Sequence, residues 1–244
     1  MTSSMSIEKA TLYEKYRLPY ANEAIDGLLQ RIGKVEVVAD IGAGTGQLAR
    51  LFAGKCDTVY AVEPDATMRK VAHDTLTSSK VVIIEGTAEC TPIEAKSVDL
   101  IVVGNAFHRF RPEACIEFAR ILRPTGWVAI FSYNFLDKAF VDSLFSKLAL
   151  IEGLASRSKR AWHNTPLGDL FGKSEVFTLQ CEQSCVEGWD EFFGAACAGI
   201  ESPERNDEEF EQFERINREV FEEFSRDGNI TLHYATRISF GQLE

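Results

Sequence analysis

A β-branched run at residues 35–41 passes directly into Gly42-Ala43-Gly44-Thr45-Gly46, and Leu48, Leu51 and Phe52 then recur at helical spacing until Gly54. A buried strand, a glycine turn and a helix in that order open a βαβ unit. Glycines there permit a tight turn, and they let a ligand approach the backbone with no Cβ in the way. The unit commits the chain to a parallel sheet with crossover helices, and the rest of the first half keeps that rhythm. Strands are expected at Thr58–Glu63, Val81–Glu85, Val98–Gly104 and residues 127–133. Helices are expected at 7–16, from Pro19 through Ala21, Ala24, Ile25, Leu28, Leu29 and Ile32 to Gly33, from an Asp65 cap to about Leu76, and after Pro112. In the last of these Cys115, Phe118, Ala119 and Leu122 would face inward.

The pattern changes past residue 133. A helix near 138–152 precedes a polar, basic loop at 156–160. Phe177, Leu179 and Cys181 alternate with polar residues, as do Leu232, Tyr234, Ile238 and Phe240, which suits antiparallel strands near a sheet edge. Between them lie an aromatic helical segment (Trp189, Phe192, Phe193) and an acidic helix. Phe210, Phe213, Ile216, Val220, Phe221 and Phe224 stripe that helix, and Asp227-Gly228 closes it. The stripe is read as core or lid packing.

The ligand follows from spacing. Glu63 ends the next strand nineteen residues after Gly44, where an acid accepts hydrogen bonds from both hydroxyls of a ribose. The glycine loop and this acid together indicate an adenosine-containing ligand. The dinucleotide fingerprint has two residues between its second and third glycines; here only Thr45 lies between Gly44 and Gly46. Asp40, directly before the turn, would repel a pyrophosphate and favour an ammonium. S-adenosylmethionine (SAM) fits, having no phosphate but an ammonium and a sulfonium.

Composition narrows the partners. The chain has 244 residues, 45% hydrophobic and 26% charged, as expected of an ordinary globular protein. Its net charge of −11 disfavours a duplex nucleic acid, whose phosphates want a basic face. Eleven acids against four arginines in residues 201–227 account for most of that imbalance. Six scattered cysteines make no zinc set and are expected to be reduced and mostly buried. Neither a secretory signal at Met1-Thr2-Ser3-Ser4-Met5-Ser6 nor a membrane-spanning run is read, so a cytoplasmic location is expected.

With Val38-Ala39-Asp40-Ile41-Gly42-Ala43-Gly44-Thr45-Gly46 stand Val62-Glu63-Pro64-Asp65 with Met68, Gly86-Thr87-Ala88-Glu89, Ser97-Val98-Asp99-Leu100-Ile101, Asn105-Ala106-Phe107-His108 and Leu122-Arg123-Pro124-Thr125-Gly126. On these motifs the chain resembles the class I SAM-dependent methyltransferases, in particular the small-molecule branch that includes ubiquinone and menaquinone biosynthesis enzymes. The resemblance is dense in motifs over residues 13–133 and topological beyond. It implies a Rossmann-like α/β fold: a seven-stranded, mostly parallel sheet with helices on both faces, an antiparallel last strand and a late helical cap. One domain over 1–244 is expected, with N-terminal helices at 1–33, a SAM-binding core at 34–152, a cap insertion with an edge strand at 153–227, and a final strand at 228–244.

The resemblance also implies roles. Asp40 and the backbone of Gly42 and Gly44, within the loop that Ala43 and Gly46 complete, would hold the methionine ammonium. Glu63, followed by Pro64, would hold the ribose, and Met68 would lie against an adenine face. Thr87 and Ala88 would border the adenine edge, although Thr87 departs from the acidic or amide residue common there. Asn105 would line the sulfonium. Tyr13, Tyr16 and Arg17 resemble the segment that closes over the cofactor; Arg17 would pair with the methionine carboxylate, or else be a solvated helix-end charge.

Transfer from a sulfonium is an in-line displacement governed by alignment, and an oxygen or nitrogen acceptor can also need a base. His108, just past the fourth strand, is the candidate base, with packing or substrate orientation as its other readings; His163, in the polar stretch, is a weaker candidate. Phe107, Phe110, Trp189, Phe192 and Phe193, with His108, are candidates to wall an aromatic or apolar acceptor. The chain has no Asn/Asp-Pro-Pro-Tyr motif, no Pro-Cys pair and no acidic cluster of the catechol type, so a small-molecule acceptor is expected and no metal. Two alternatives stay open on the sequence: a SAM-binding protein without transferase activity, and a nicotinamide-dependent oxidoreductase.

Overall fold

The glycine turn positions everything around it in the computed structural model, which describes residues 5–154 and 165–244. Strand β1 (Val37–Ile41) enters the turn, and Gly42, Gly44 and Gly46 all take positive φ, at 72°, 58° and 88°. Helix α3 (Gln47–Phe52) leaves it. The chain steps outward through β2 (Thr58–Glu63), α4 (Ala66–Thr75) and β3 (Val81–Glu85). It then returns to the other side of β1 as β4 (Val98–Gly104).

Helix α5 (Glu113–Ile121) and β5 (Leu122–Phe135) follow. The seven strands run β3-β2-β1-β4-β5-β7-β6, where β6 is Phe177–Glu187 and β7 is Ile230–Gly241. β7 is antiparallel to both neighbours and every other pairing is parallel, as expected. Strand order reverses between β1 and β4, and there a doubly wound sheet opens a crevice at its carboxyl ends.

Burial explains the layers. On one sheet face, Ala24, Ile25 and Leu28 of α2 (Asn22–Ile32) and Leu48 and Phe52 of α3 pack on Val38, Leu100, Val102 and Phe131. The other face buries Ile41, Ile101 and Val103 under Phe118 and Ile121 of α5 and Leu170 and Phe171 of α7 (Leu167–Phe171). The late helices have cores of their own. Phe140 of α6 (Lys138–Leu148), Phe192 of α8 (Trp189–Cys197), and Val220 and Phe221 of α9 (Phe210–Phe224) meet Ile230 and Leu232 of β7. The α9 stripe packs, as read, and its acids lie on the exposed face. Asp227 and Gly228 both take positive φ in a two-residue turn closed by Arg226 and Asn229.

Several local expectations shift. Pro19 lies outside α2, which starts at Asn22, and β1 starts at Val37. Helix α5 turns Ala114, Phe118 and Ile121 inward while Ala119 is exposed, because 114, 118 and 121 share one face at helical spacing and 119 lies off it. Helix α6 ends at Leu148. The 123–126 turn is an irregularity inside β5, where β4 moves from Leu122 to Trp127 within two of its own residues. Only Cys56 and Cys197 are buried among the six free cysteines, because β6 presents Cys181 and Cys185 at a sheet edge. The expected loop at 156–160 and His163 lie outside the described residues. Among the described residues no helix is long and apolar enough to cross a membrane.

Candidate functional site

Asp40 is the last polar residue of β1 and is fully enclosed, with 1% of its surface exposed. Its Oδ2 accepts the Ala49 amide of α3 at 3.0 Å, so the strand carboxylate also caps the helix that follows. Burial pushes its pKa up to about 7, against the lowering effect of the Ala49 amide. A buried carboxylate held this way gains most from a cation that replaces lost water. The space beside it is a small cavity lined by Asp40, Gly42, Ala43, Gln47, Leu48, Gly104, Tyr13 and Tyr20.

The turn is tied to β2 through its amides. Gly42 and Ala43 both donate to the Val62 carbonyl, at 2.9 and 3.0 Å, and Gly44 donates to Glu63 Oε2 at 2.8 Å. Glu63 Oε1 takes the Asp65 amide at 2.9 Å, and burial raises its pKa. Three amides that a phosphate would need are thus already engaged. The carboxylate of Glu63 offers about four acceptor positions, and two are used. Two remain for a vicinal diol. Pro64 beside it is exposed, and its carbonyl accepts from Arg69.

Helix α1 (Ile7–Tyr16) lies over this edge. Ala10 and Tyr13 pack with Met68 and Val71 of α4, and the Met5 amide donates to Asp65 Oδ2 at 3.0 Å. The Tyr13 ring stands 3.8 Å from where a Cβ on Gly44 would be. Tyr16 packs on Gly194 of α8. The Arg17 guanidinium lies between the Tyr13 and Tyr133 rings, 5.1 and 5.0 Å from their centroids. Its Nε is buried without a hydrogen-bond partner. That orphaned donor lies against the Tyr13 ring that lines the Asp40 cavity, and with the buried carboxylate of Asp40 and the spare acceptor positions of Glu63 the set suits the carboxylate, ammonium and ribose of SAM.

Asn105 follows β4 with φ 49°, a left-handed conformation that asparagine tolerates better than most residues. Its Nδ2 donates to the Tyr20 hydroxyl at 2.8 Å. Thr87 is exposed and its amide donates to Cys90, while Ala88 is buried in the second core.

His108 sits half-buried in a single 3-10 turn (Phe107–Arg109). Burial lowers its pKa, and the Arg109 and Arg17 charges lower it further against Glu201. A neutral imidazole at pH 7 is the form that accepts a proton.

Phe107 and Phe110 are buried, and Phe110 meets Phe118 edge-on in the second core. Phe110 also lies under the turn, within 3.1 Å of a Cβ built on Gly42. Phe192 is buried among Phe140 and Phe221, and Trp189 stacks on Phe193 at 4.8 Å. The structure therefore brings Asp40, the glycine turn, Glu63, Tyr13 and Arg17 together, and sets Phe107, Phe110 and Phe192 in packed cores.

Two participants were given no role at the sequence level. Tyr20, read within the helix expected from Pro19, stands instead between α1 and α2, where it lines the cavity and holds Asn105. Asp99, inside a quoted motif, accepts the Glu36 and Val37 amides at 3.0 and 2.9 Å and pairs with Arg123, fixing the entry to β1.

Residues 39–130 match the family model described as a methyltransferase domain. An uncharacterized methyltransferase of Mycobacterium tuberculosis is 40% identical over 115 residues, 47% of this chain and 46% of that protein. The chain thus spans about half the length of the mycobacterial relatives it matches. An uncharacterized methyltransferase of a Geobacillus species is 30% identical over 172 residues, 68% of this chain and 74% of the relative. In fold, the YcgJ protein of Bacillus subtilis is similar with a TM-score of 0.59, at 19% identity, over 92% of this chain and 100% of that one. The strand order, the glycine turn with its two acids and these relatives agree: the chain belongs to the class I SAM-dependent methyltransferase family.

Proposed function

We propose that this protein binds SAM in the crevice between β1 and β4 and transfers its methyl group to an O, N or C atom of a small aromatic or apolar molecule in the cytoplasm. The observation that carries this reading is the buried Asp40 on the cavity beside the glycine turn, with the Tyr13 ring that lines the same cavity lying against the Arg17 guanidinium, whose Nε has no hydrogen-bond partner. Asp40 would take the ammonium and Arg17 the carboxylate, a charge pattern matching an amino acid and no phosphate. Glu63 would take the ribose hydroxyls, and Thr87 and Ala88 would border the adenine.

Bound SAM supplies an electrophilic methyl on a sulfonium. The chain's own part is alignment. Asp40 and Arg17 would fix the amino-acid end, and Glu63 the sugar. Tyr13, over Gly44, would exclude water from one side. Asn105, held by Tyr20, borders the end of β4, where the reacting groups would meet. His108, kept neutral by burial and two arginines, would accept a proton at a ring nitrogen from an O–H or N–H acceptor.

The test has two parts. Calorimetry should find micromolar binding of SAM and S-adenosylhomocysteine (SAH) and no detectable binding of NAD. A screen of small acceptors, read as SAH release, should then return at least one substrate. NAD binding without SAM binding would refute the proposal.

A further inference from the structure

The turn that carries His108 is held from a distance. Arg109, its neighbour, pairs with Glu201 in the loop after α8. That loop is anchored by Lys9, a buried lysine within α1. Its Nζ donates to the Ile200 carbonyl at 3.1 Å and to the Ser202 carbonyl at 2.5 Å. Ser202 in turn donates to the Cys197 carbonyl at 2.8 Å, folding the loop back on the end of α8. A second strut joins Arg205 to Glu8 at 2.8 Å.

Burying an ammonium is costly unless its protons find acceptors. Lys9 directs its protons to the two residues that flank Glu201. A lysine serving only to join α1 to the cap has no need to bracket one acid. Among the described residues, the charges acting on His108 are those of Arg109 from its own turn, Glu201 from this loop and Arg17 from the end of α1, and Glu201 is the anion of these three.

We propose that Glu201, clamped to α1 through Lys9, is a positioning residue for His108: it fixes the Phe107–Arg109 turn through Arg109 and offsets one of the two guanidinium charges beside the imidazole. The inference rests on the reading that His108 faces the methyl acceptor. Because α1 also carries Tyr13 at the glycine turn, one helix then sets both the cofactor end and the acceptor end of the site.

The experiment is an NMR titration of the His108 ring in the full chain, its resonance assigned against His108→Asn. Wild type, Glu201→Gln, Glu201→Asp and Lys9→Met are compared, with melting temperature and SAH calorimetry on each. Glu201→Gln should lower the His108 midpoint by on the order of half a pH unit, because the anion that offsets the two guanidinium charges is then gone. Lys9→Met should move it in the same direction, and Glu201→Asp should stay nearer wild type. SAH affinity of the two Glu201 variants should remain within about twofold of wild type, the usual insensitivity to a distant charge in salt.

An unchanged His108 midpoint in Glu201→Gln, whatever happens to its melting temperature, overturns the proposal and leaves the pair a structural tie. If Lys9→Met does not fold, the two Glu201 variants carry the test. Failure to bind SAH would instead remove the methyltransferase reading, and the His108 titration would be read all the same.

Discussion

Replacing Glu63 with alanine removes an acceptor that serves the protein and, on the reading above, the cofactor. Its two oxygens take the Gly44 and Asp65 amides at 2.8 and 2.9 Å, leaving about two acceptor positions for a ribose. Hydrogen bonds to a charged group contribute about 1.5–3 kcal/mol, so SAH should bind about 10- to 150-fold more weakly. The protein loses stability as well, since two partly buried amides lose their partner. Against that loss stands the cost of burying the carboxylate itself, which raises its pKa. A net loss of about 2 kcal/mol would lower the melting temperature by roughly 4–8 °C in a chain of this size. Calorimetry with SAH and thermal unfolding by circular dichroism read the two effects separately. Glu63→Gln refines them: one amide bond survives, so the melting temperature should lie between alanine and wild type, while affinity stays near the alanine value. An SAH affinity within twofold of wild type in a destabilised Glu63→Ala protein would refute the reasoning, leaving Glu63 an anchor for the turn alone.

Gly44→Val should abolish SAM binding, because φ is 58° there and a branched side chain would fill the space beneath Tyr13; unchanged affinity in a folded variant counts against the site. Asp40, raised by burial to about 7, binds its proton more tightly folded than unfolded, so its contribution to ligand-free stability falls as pH rises from about 4 to 7. SAH affinity should run the other way, weakening about tenfold per pH unit below 7, since the ammonium needs the carboxylate; a flat profile would exclude Asp40 as its partner. His108→Ala should lower kcat by about 10²–10⁴ on the acceptor the screen returns, and a fully active His108→Phe would leave only packing for that ring. Phe192→Ala should cost about 3–5 kcal/mol of stability and leave SAH affinity unchanged, because the ring fills the core between Phe140 and Phe221; a melting temperature equal to wild type would refute that placement.

The glycine turn and the strands beside it were legible because their signals are local. Positive φ demands glycine at 42, 44 and 46, and buried parallel strands demand β-branched runs such as Val98–Gly104. Asp65 announced its helix because a cap acts on amides two and three residues away. The stripe of α9 announced a buried face by its period alone. What each buried face meets is a different matter, decided by contacts between residues far apart in the chain. Phe192 and Phe193 carry an aromatic signal that suits a ligand wall or a core equally well, and only the packing of α6, α8 and α9 assigns them. Nothing local to Lys9 tells that its ammonium reaches residues 200 and 202. Tyr20 likewise meets Asn105 from 85 positions away. The sequence by itself determined the sheet order's beginning, the glycine turn and the acids around it, since those follow from backbone geometry and short-range hydrogen bonds. The tertiary structure decided which side chains share the crevice and which charges face His108, because long-range packing alone sets distances between elements.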